Sequence, residues 1–268
     1  FSKYDNRVSE NNTTTLIAVP MYNCGSFTVE QLKIMSKLNL PSNSDVLVID
    51  NRSSDNSLEV VSNAMDKINL KIKLIQNLEN YNLGGSSKIA FKYGFRHNYD
   101  YLLIHHGSGK ADINNFVQAR EHWGNFDMLL GSRFMHGAKN ENYSKVQYIG
   151  NIVFNYIFSI LLMRKIQDLG SSTNFYRLNH EHEEFILRCA DGLTFNYYLL
   201  IHQINKGLTF KYFPSPLKVT NQKSSLNLIN HLKEMLSIIF DLLLGKKILR
   251  RDYSNFKQYE FKTIKTNY

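Results

Sequence analysis

The first half of the chain alternates short apolar runs with longer stretches whose apolar residues recur at helical spacing. Four runs are typical of buried strands: TLIAVP from Thr15, DVLVID from Asp45, KIKLIQN from Lys71 and YLLIHH from Tyr101. We predict helices between them, near residues 28–38, 56–68 and 86–96. This alternation predicts an α/β fold, a mostly parallel sheet flanked by helices. Such sheets bind ligands at the carboxyl ends of their strands.

Two phosphate-binding signatures are missing from the strand ends. No G-x-G-x-x-G follows the first strand and no G-x-x-x-x-G-K-[ST] occurs, which argues against dinucleotide binding and P-loop chemistry. The formal net charge of +9 nevertheless calls for an anionic partner: nucleic acid, a phosphorylated small molecule or an anionic membrane surface. No predicted element carries a basic stripe interleaved with aromatic residues, so we do not expect nucleic acid.

Cysteine content and the first residues bear on location. Cys24 and Cys189 are too few for a disulfide framework, which favours a reducing compartment, the cytoplasm. Residues 1–14 are polar and are predicted to form a flexible lead-in.

Two apolar segments follow later in the chain. Residues 146–163 contain no charged residue but several polar ones, and are short for a membrane span of roughly 20 residues, so we expect a packed or interfacial helix. Residues 226–268 are predicted to form an amphipathic helix and a basic tail. Its apolar positions are Leu228, Leu232, Met235, Ile239 and Leu242, and its basic residues are Lys246, Lys247, Arg250 and Arg251. Core packing and contact with a membrane surface both explain this helix.

Motifs at the strand ends occur in an informative order. They read AVPMYN, VIDNRSSDNS and NYNLGGSSKIAF, followed by DMLLGSRF and QDLGSSTNFYR. Together they resemble the family-2 glycosyltransferases of the GT-A fold, and the last two resemble the dolichol- and polyprenyl-phosphate sugar transferases. The resemblance covers about Thr15 to Asn230. It implies a Rossmann-like GT-A domain over residues 15–225, with a nucleotide-binding half to about 133 and an acceptor half over 134–225.

The resemblance implies a binding site for the sugar donor. Asp50 would accept a hydrogen bond from the base or ribose, although a helix-capping role, which suits Asp55 better, is the alternative. Asn51 stands where the family has a second aspartate. Lys88 would lie near the diphosphate, unless it is simply solvated. The full set of donor contacts is Pro20, Tyr22, Asn23, Asp50, Asn51, Lys88, His106, Gly107 and Ser108.

The loop after the fourth strand departs from the family pattern. Ungapped alignment on the family's H-G-D-G-Q places Ser108 on the aspartate and Lys110 on the glutamine. The family uses Mg²⁺ or Mn²⁺, for which a neutral hydroxyl is a poor ligand. We therefore expect no strict metal requirement, with Lys110, helped by His105 or His106, neutralising the diphosphate leaving group. As metal ligands, His106 and Asp112 are only a fallback.

The acceptor side contains basic residues and one prominent carboxylate. Asp168 matches a family aspartate and is the candidate catalytic carboxylate, needed as a base only if the acceptor is a hydroxyl. A lipid phosphate is already anionic at pH 7. Arg133, Lys218 and Lys223 are the candidate acceptor-binding residues.

These expectations describe a hexosyltransferase of bacterial polysaccharide biosynthesis. It would move a sugar with inversion from a UDP- or GDP-sugar to a membrane-associated acceptor, a polyprenyl phosphate, while bound peripherally to the inner face of the cell membrane. One alternative is transfer to a saccharide hydroxyl in capsule or lipopolysaccharide assembly, with Asp168 as base. The other is an inactive sugar-nucleotide-binding module.

Overall fold

An eight-stranded sheet forms the centre of the computed structural model, which describes residues 13–41, 43–218, 228–245, 248–256 and 258–268. The strands are β1 (Thr15–Met21), β2 (Ser44–Asp50), β3 (Ile72–Asn77), β4 (Tyr101–His105), β5 (Met128–Ser132), β6 (Thr173–Arg177), β7 (Phe210–Pro214) and β8 (Phe261–Thr266). The helices are α1 (Gly25–Met35), α2 (Ser57–Ala64), α3 (Asn82–Arg96), α4 (Asn114–Gln118), α5 (Lys145–Leu162), α6 (Glu183–Arg188), α7 (Phe195–Asn205) and α8 (Leu228–Leu243).

Pairing within the sheet confirms the predicted, mostly parallel arrangement. Across the sheet the order is β7-β5-β6-β4-β1-β2-β3-β8. β1 pairs in parallel with β2 and β4, β2 with β3, and β5 with β7, whereas β6 and β8 run antiparallel to their neighbours. The carboxyl ends of the six parallel strands therefore meet at one edge of the sheet, together with the start of β6.

Each face of the sheet is covered by its own apolar core. Successive strand residues point to opposite faces, so Leu16 and Ala18 pack in a core that includes residues of α3 and α7. Ile17 and Val19 pack in the other core, against residues of α1 and α2. Burial on both faces explains why the strands of the first half are almost continuously apolar.

Lys88 lies in the core rather than at a ligand site, which corrects its prediction. Helix α3 begins at Asn82, earlier than predicted, so Lys88 lies inside the helix and is fully buried. Its Nζ is 2.7 Å from Asp191 Oδ1 and donates a hydrogen bond to the hydroxyl of Tyr259, which donates in turn to Asp191. Burial lowers the pKa of Lys88, while Asp191 offsets part of this effect. The ammonium group is enclosed by these partners and does not reach a diphosphate.

The end of the chain returns to the domain, which the sequence patterns did not indicate. β8 pairs antiparallel with β3 and covers that edge of the sheet, and Tyr259 just before it completes the Lys88 cluster. Of the predicted basic tail, the structure describes Arg250 and Arg251 but not Lys246 and Lys247. Residues 1–12 of the predicted lead-in and Lys223 also lie outside the described residues.

The two late apolar segments both form helices, α5 and α8. One face of α8 is core, with Met235, Ile238 and Ile239 buried, and α8 packs against α5. Among the described residues, no helix combines the length and apolar character needed to cross a membrane.

We predict that Lys88→Met lowers the free energy of unfolding by about 3–5 kcal/mol, because it leaves the buried Asp191 carboxylate without its cation. Urea denaturation checks this. Lys92→Met, one turn further along α3 and only half-buried, is the control and should change stability by less than about 1 kcal/mol. Equal losses of unfolding free energy in the two variants would show that the pairing of Lys88 with Asp191 does not stabilise the fold.

Candidate active site

The carboxyl edge of the sheet brings together most of the predicted donor-binding residues. The backbone N–H of Asn51 donates to the carbonyl of Met21 (2.9 Å), and that of Gly107 donates to the carbonyl of Pro20 (2.9 Å). Asn23 binds the turn after β2, since its backbone N–H donates to Ser53 Oγ (2.9 Å). Tyr22, beside it in the chain, is half-buried. The loops after β1, β2 and β4 thus form one continuous wall.

Asp50 ends β2 as a fully buried carboxylate. Its Oδ2 accepts a hydrogen bond from Gln76 Nε2 (2.8 Å), and its Oδ1 accepts one from the backbone of Ser53 (3.2 Å). Gln76 Oε1 in turn accepts from Arg52 Nη1 (3.3 Å), which belongs to an exposed side chain at a residue of positive φ (+62°). An ionised carboxylate accepts about four hydrogen bonds, so these contacts do not use all the accepting positions of Asp50.

Asp55 has the capping role that its sequence position indicates. Its Oδ1 accepts a hydrogen bond from the backbone N–H of Ser57, the first residue of α2 (2.9 Å). The two aspartates of the motif are therefore divided between a buried strand end and a helix start.

Structural contacts fill most of the hydrogen-bonding positions of the Asn51 side chain. Its Oδ1 accepts from Asn77 Nδ2 (2.9 Å) and from the backbone of Tyr81 (2.9 Å), while its Nδ2 donates to Asn80 Oδ1 (2.8 Å). These bonds tie β2 and β3 to the start of α3. Only one of the four hydrogen-bonding positions of this amide remains for a donor contact.

The two histidines of the β4 loop do not supply positive charge, which corrects that part of the prediction. His105 is fully buried between Thr173 Oγ1 (2.8 Å from Nδ1) and Gln31 Oε1 (3.1 Å from Nε2), and burial lowers its pKa to about 3. Burial, together with the nearby charge of Lys110, lowers the pKa of His106 to about 4. Both imidazoles are neutral near pH 7, so the positive group of this loop is Lys110.

The β4 loop is held tightly against α1. A Cβ on Gly107 would lie 2.5 Å from Thr28 Oγ1, so only glycine fits there, and that hydroxyl donates to the Gly107 carbonyl (3.2 Å). Ser108 follows as a half-buried residue. Further along, the carbonyl of Lys110 accepts from the backbone N–H of Lys218 (2.8 Å). The backbones of two predicted functional lysines are therefore paired.

The donor groups of this loop do not fit a divalent metal. Asp112, the fallback ligand, is exposed and accepts from the backbone and side chain of Asn114 at the start of α4 (2.9 and 2.7 Å). Ser108 offers a neutral hydroxyl, whereas Mg²⁺ and Mn²⁺ favour charged oxygen ligands. Within the described ranges, no three His, Cys, Asp or Glu side chains are grouped to hold an ion.

Asp168 and Arg133 bind each other, which corrects both assignments. Arg133 donates to Asp168 from Nη2 (2.6 Å to Oδ1), from Nε (2.8 Å to Oδ2) and from its backbone N–H (2.9 Å to Oδ2). Gly170 N–H donates a fourth bond, to Oδ1 (2.9 Å). The accepting positions of Asp168 are thus filled, so it is not placed to act as a base.

The pairing also changes what Arg133 can do. Burial alone would lower the pKa of Arg133, but the charge and hydrogen bonds of Asp168 outweigh this effect and raise it. The guanidinium stays charged, with its bidentate face turned to Asp168 rather than to a phosphate. Lys218 is exposed, and its Nζ is 3.7 Å from a carboxylate oxygen of Glu141.

Sequence reasoning missed three side chains that build this edge. Gln76 orients Asp50, while Gln31 and Thr173 hold His105. Gln76 could have been found, because the run KIKLIQN ends in two polar residues just where a third strand meets the same edge. Gln31 and Thr173 carry no such signal, since they come from a helix face and from a distant antiparallel strand.

Fold and site together define a class: an α/β protein with a group of polar side chains at the carboxyl edge of a mostly parallel sheet, where such proteins bind their ligands. Residues 16–106 match the model of glycosyl transferase family 2. This segment contains β1 to β4 and the loops that form the wall. The match supports the predicted enzyme class, a glycosyltransferase.

Comparison with solved structures gives the GT-A fold. The structure of S. aureus TarS residues 1–349 in complex with UDP-GlcNAc is similar with a TM-score of 0.54 and 17% identity, over 88% of this chain and 68% of that one. Glucosyl-3-phosphoglycerate synthase from Mycobacterium tuberculosis, in complex with Mn²⁺, UDP and glucosyl-3-phosphoglycerate, is similar with a TM-score of 0.56 and 11% identity, over 94% and 88% of the two chains. No curated protein matches the chain by sequence.

We predict that His105 makes stability depend on pH. Its folded-state pKa of about 3 lies below its ordinary value of 6.5. Below pH 6.5 the unfolded chain therefore binds a proton at His105 and the folded protein does not. The contribution of His105 to the free energy of unfolding is thus fully present above pH 6.5 and is lost as the pH falls toward 3. The loss is about 1.4 kcal/mol per pH unit in that window.

Urea denaturation at pH 7 and pH 5 checks this. The free energy of unfolding should fall more steeply in the wild-type protein than in His105→Gln. The control His180→Gln, which removes an exposed imidazole, should keep the wild-type slope. If His105→Gln also keeps that slope, His105 is not buried in its neutral form.

Proposed function

We propose that the protein transfers a sugar, with inversion, from a nucleotide diphosphate sugar to a membrane-associated acceptor, and that this acceptor is a polyprenyl phosphate. The observation that carries the proposal is the buried Asp50–Gln76 pair at the end of β2, inside the segment that matches glycosyl transferase family 2. Asp50 would accept a hydrogen bond from the base or ribose, and Pro20 and Tyr22 would form the wall beside it.

A UDP-sugar is the donor that the similar structures favour. TarS was crystallised with UDP-GlcNAc, and glucosyl-3-phosphoglycerate synthase with UDP and with UDP-glucose. The exposed Arg52, held by Gln76 beside Asp50, supplies a cation near the proposed nucleotide.

A phosphate acceptor is favoured over a hydroxyl by the state of Asp168. A hydroxyl needs a base, and the carboxylate that the motif offers for this role has its accepting positions filled by Arg133 and Gly170. A phosphate is already anionic near pH 7 and attacks without a base.

The proposed reaction is one displacement at the anomeric carbon. A phosphate oxygen of the acceptor forms the new bond, the bond from the anomeric carbon to the donor diphosphate breaks, and the nucleoside diphosphate leaves with the electron pair. Negative charge therefore develops on the leaving group. Lys110, on the loop beside Pro20, would stabilise that charge without a metal ion, and Lys218, whose backbone pairs with that of Lys110, would bind the acceptor phosphate.

Asp50→Asn should weaken UDP binding by about 1.5–3 kcal/mol, the usual contribution of a hydrogen bond to a charged group. Isothermal titration calorimetry measures the change. Asp55→Asn is the matched control, because Asp55 caps α2, and it should leave the affinity as it is. Unchanged affinity in Asp50→Asn, with a normal melting temperature, would place the nucleotide elsewhere.

Lys110→Gln should lower the rate of sugar transfer by about 100-fold, as expected when a group that stabilises transition-state charge is lost. The rate is measured in the presence of a chelator, where the wild-type protein should remain active. Lys206→Gln, which removes an exposed lysine just before β7 at the opposite edge of the sheet, should transfer at the wild-type rate.

Ser108→Asp provides the opposite test of this loop. It restores the carboxylate of the family motif and should add metal-stimulated turnover. Wild-type activity that disappears with chelator, returns with Mn²⁺ and is unaffected by Lys110→Gln would contradict the proposed role of Lys110.

If the product stays in the aqueous phase rather than partitioning into organic solvent, the acceptor is a saccharide instead of a lipid phosphate.

A further inference from the structure

Helix α5 and Met163, the residue directly after it, expose an apolar stripe. Its residues recur at steps of three and four, and between 50 and 88% of each is exposed: Val146, Ile149, Val153, Tyr156, Ile160 and Met163. The segment from Val146 to Met163 contains no charged side chain. The helix has 18 residues and is therefore roughly 27 Å long at 1.5 Å per residue. An apolar stripe of this length is unusual on a surface that meets only water.

Helix α8 extends the same surface. Its buried face packs in the core, and its other face exposes apolar side chains by 41 to 67%: Ile229, Leu232, Leu236, Phe240 and Leu243. Because α5 and α8 pack against each other, the two exposed faces belong to one region. We call these eleven residues the α5–α8 surface.

Basic side chains flank the α5–α8 surface. Lys145 precedes the α5 stripe, and Arg164 and Lys165 follow it; all three are exposed. On the α8 side, Lys233, Arg250 and Arg251 are exposed, with Arg251 3.7 Å from Asp241. Two acidic residues are exposed among them: Glu234, which accepts a hydrogen bond from Thr194 (2.9 Å), and Asp252, which follows Arg251 in the chain. Apolar residues bordered by cations match the anionic head groups and acyl chains of a lipid bilayer.

A groove beside α5 repeats this combination. It has a volume of about 720 Å³, and its lining includes Ile152, Tyr156 and Ile160 of α5 together with Arg164 and Lys165. Two of these apolar residues, Tyr156 and Ile160, also belong to the exposed stripe. The groove is therefore continuous with the α5–α8 surface and joins an apolar wall to two cations.

We propose that the α5–α8 surface docks on an anionic lipid bilayer, with α5 lying in the plane of the interface rather than crossing it. A second copy of the chain is the competing occupant, but it would bring the same cations against each other. The biological role of this docking rests on the proposed function, because the enzyme would reach a membrane-bound acceptor through this surface. Binding to vesicles needs no sugar transfer, so the two proposals fail independently.

Co-sedimentation with vesicles tests the docking surface. The wild-type protein should bind vesicles of phosphatidylcholine with phosphatidylglycerol, and bind much less to phosphatidylcholine alone. The triple variant Ile149→Ser, Val153→Ser and Tyr156→Ser should lose most of this binding. The charge variant Lys145→Gln, Arg164→Gln and Lys165→Gln should weaken it by roughly fivefold for each residue changed.

The control variant Leu78→Ser, Tyr268→Ser removes two exposed apolar residues that lie beside β3 and β8, and it should bind vesicles like the wild-type protein. A melting temperature close to that of the wild-type protein confirms that each variant is folded. The proposal is overturned if the wild-type protein ignores anionic vesicles or if the α5 variant binds as well as the wild type. It is also overturned if light scattering shows a wild-type dimer that the α5 variant converts to a monomer, which would make the surface an interface between copies.

Discussion

Buried polar groups at the carboxyl edge of the sheet must bind one another, and the rest of the site depends on this requirement. A buried hydrogen-bonding group without a partner destabilises the fold by about 1–3 kcal/mol. Asp50 binds Gln76, His105 lies between Thr173 and Gln31, and Asp168 is enclosed by Arg133. Each pair joins segments far apart in the chain. The loops of the edge are therefore positioned before any ligand arrives.

The same pairing separates structural charges from those that a ligand can meet. Lys88 and Asp191 neutralise each other in the core, and Arg133 and Asp168 do so beside β5. Lys110 and Arg52 lie in the loops after β4 and β2, next to the proposed nucleotide position. An anionic ligand at this edge would therefore meet positive charge from backbone-anchored loops, in the place where the family pattern has a metal ligand.

The sequence was sufficient for the parallel half of the fold, since strand and helix periods alternate clearly from Thr15 to His106. It could not indicate β8, whose pattern FKTIKT is short and half-exposed and whose partner strand lies almost two hundred residues earlier. The pairing of Lys88 with Asp191 was hidden for the same reason. Motif matching predicted which residues reach the edge, but it could not show that Asp168 and Arg133 bind each other, because spacing along the chain does not record a contact between side chains.

Single-turnover transfer measures directly whether this edge binds a nucleotide sugar and activates its diphosphate as a leaving group. The protein is mixed, in excess, with a set of labelled UDP- and GDP-sugars, vesicles containing a polyprenyl phosphate, and a chelator. We expect label from one donor to move to the lipid in the presence of the chelator. Label that remains in every nucleotide sugar, with and without Mn²⁺, would instead indicate a binding module without catalytic activity.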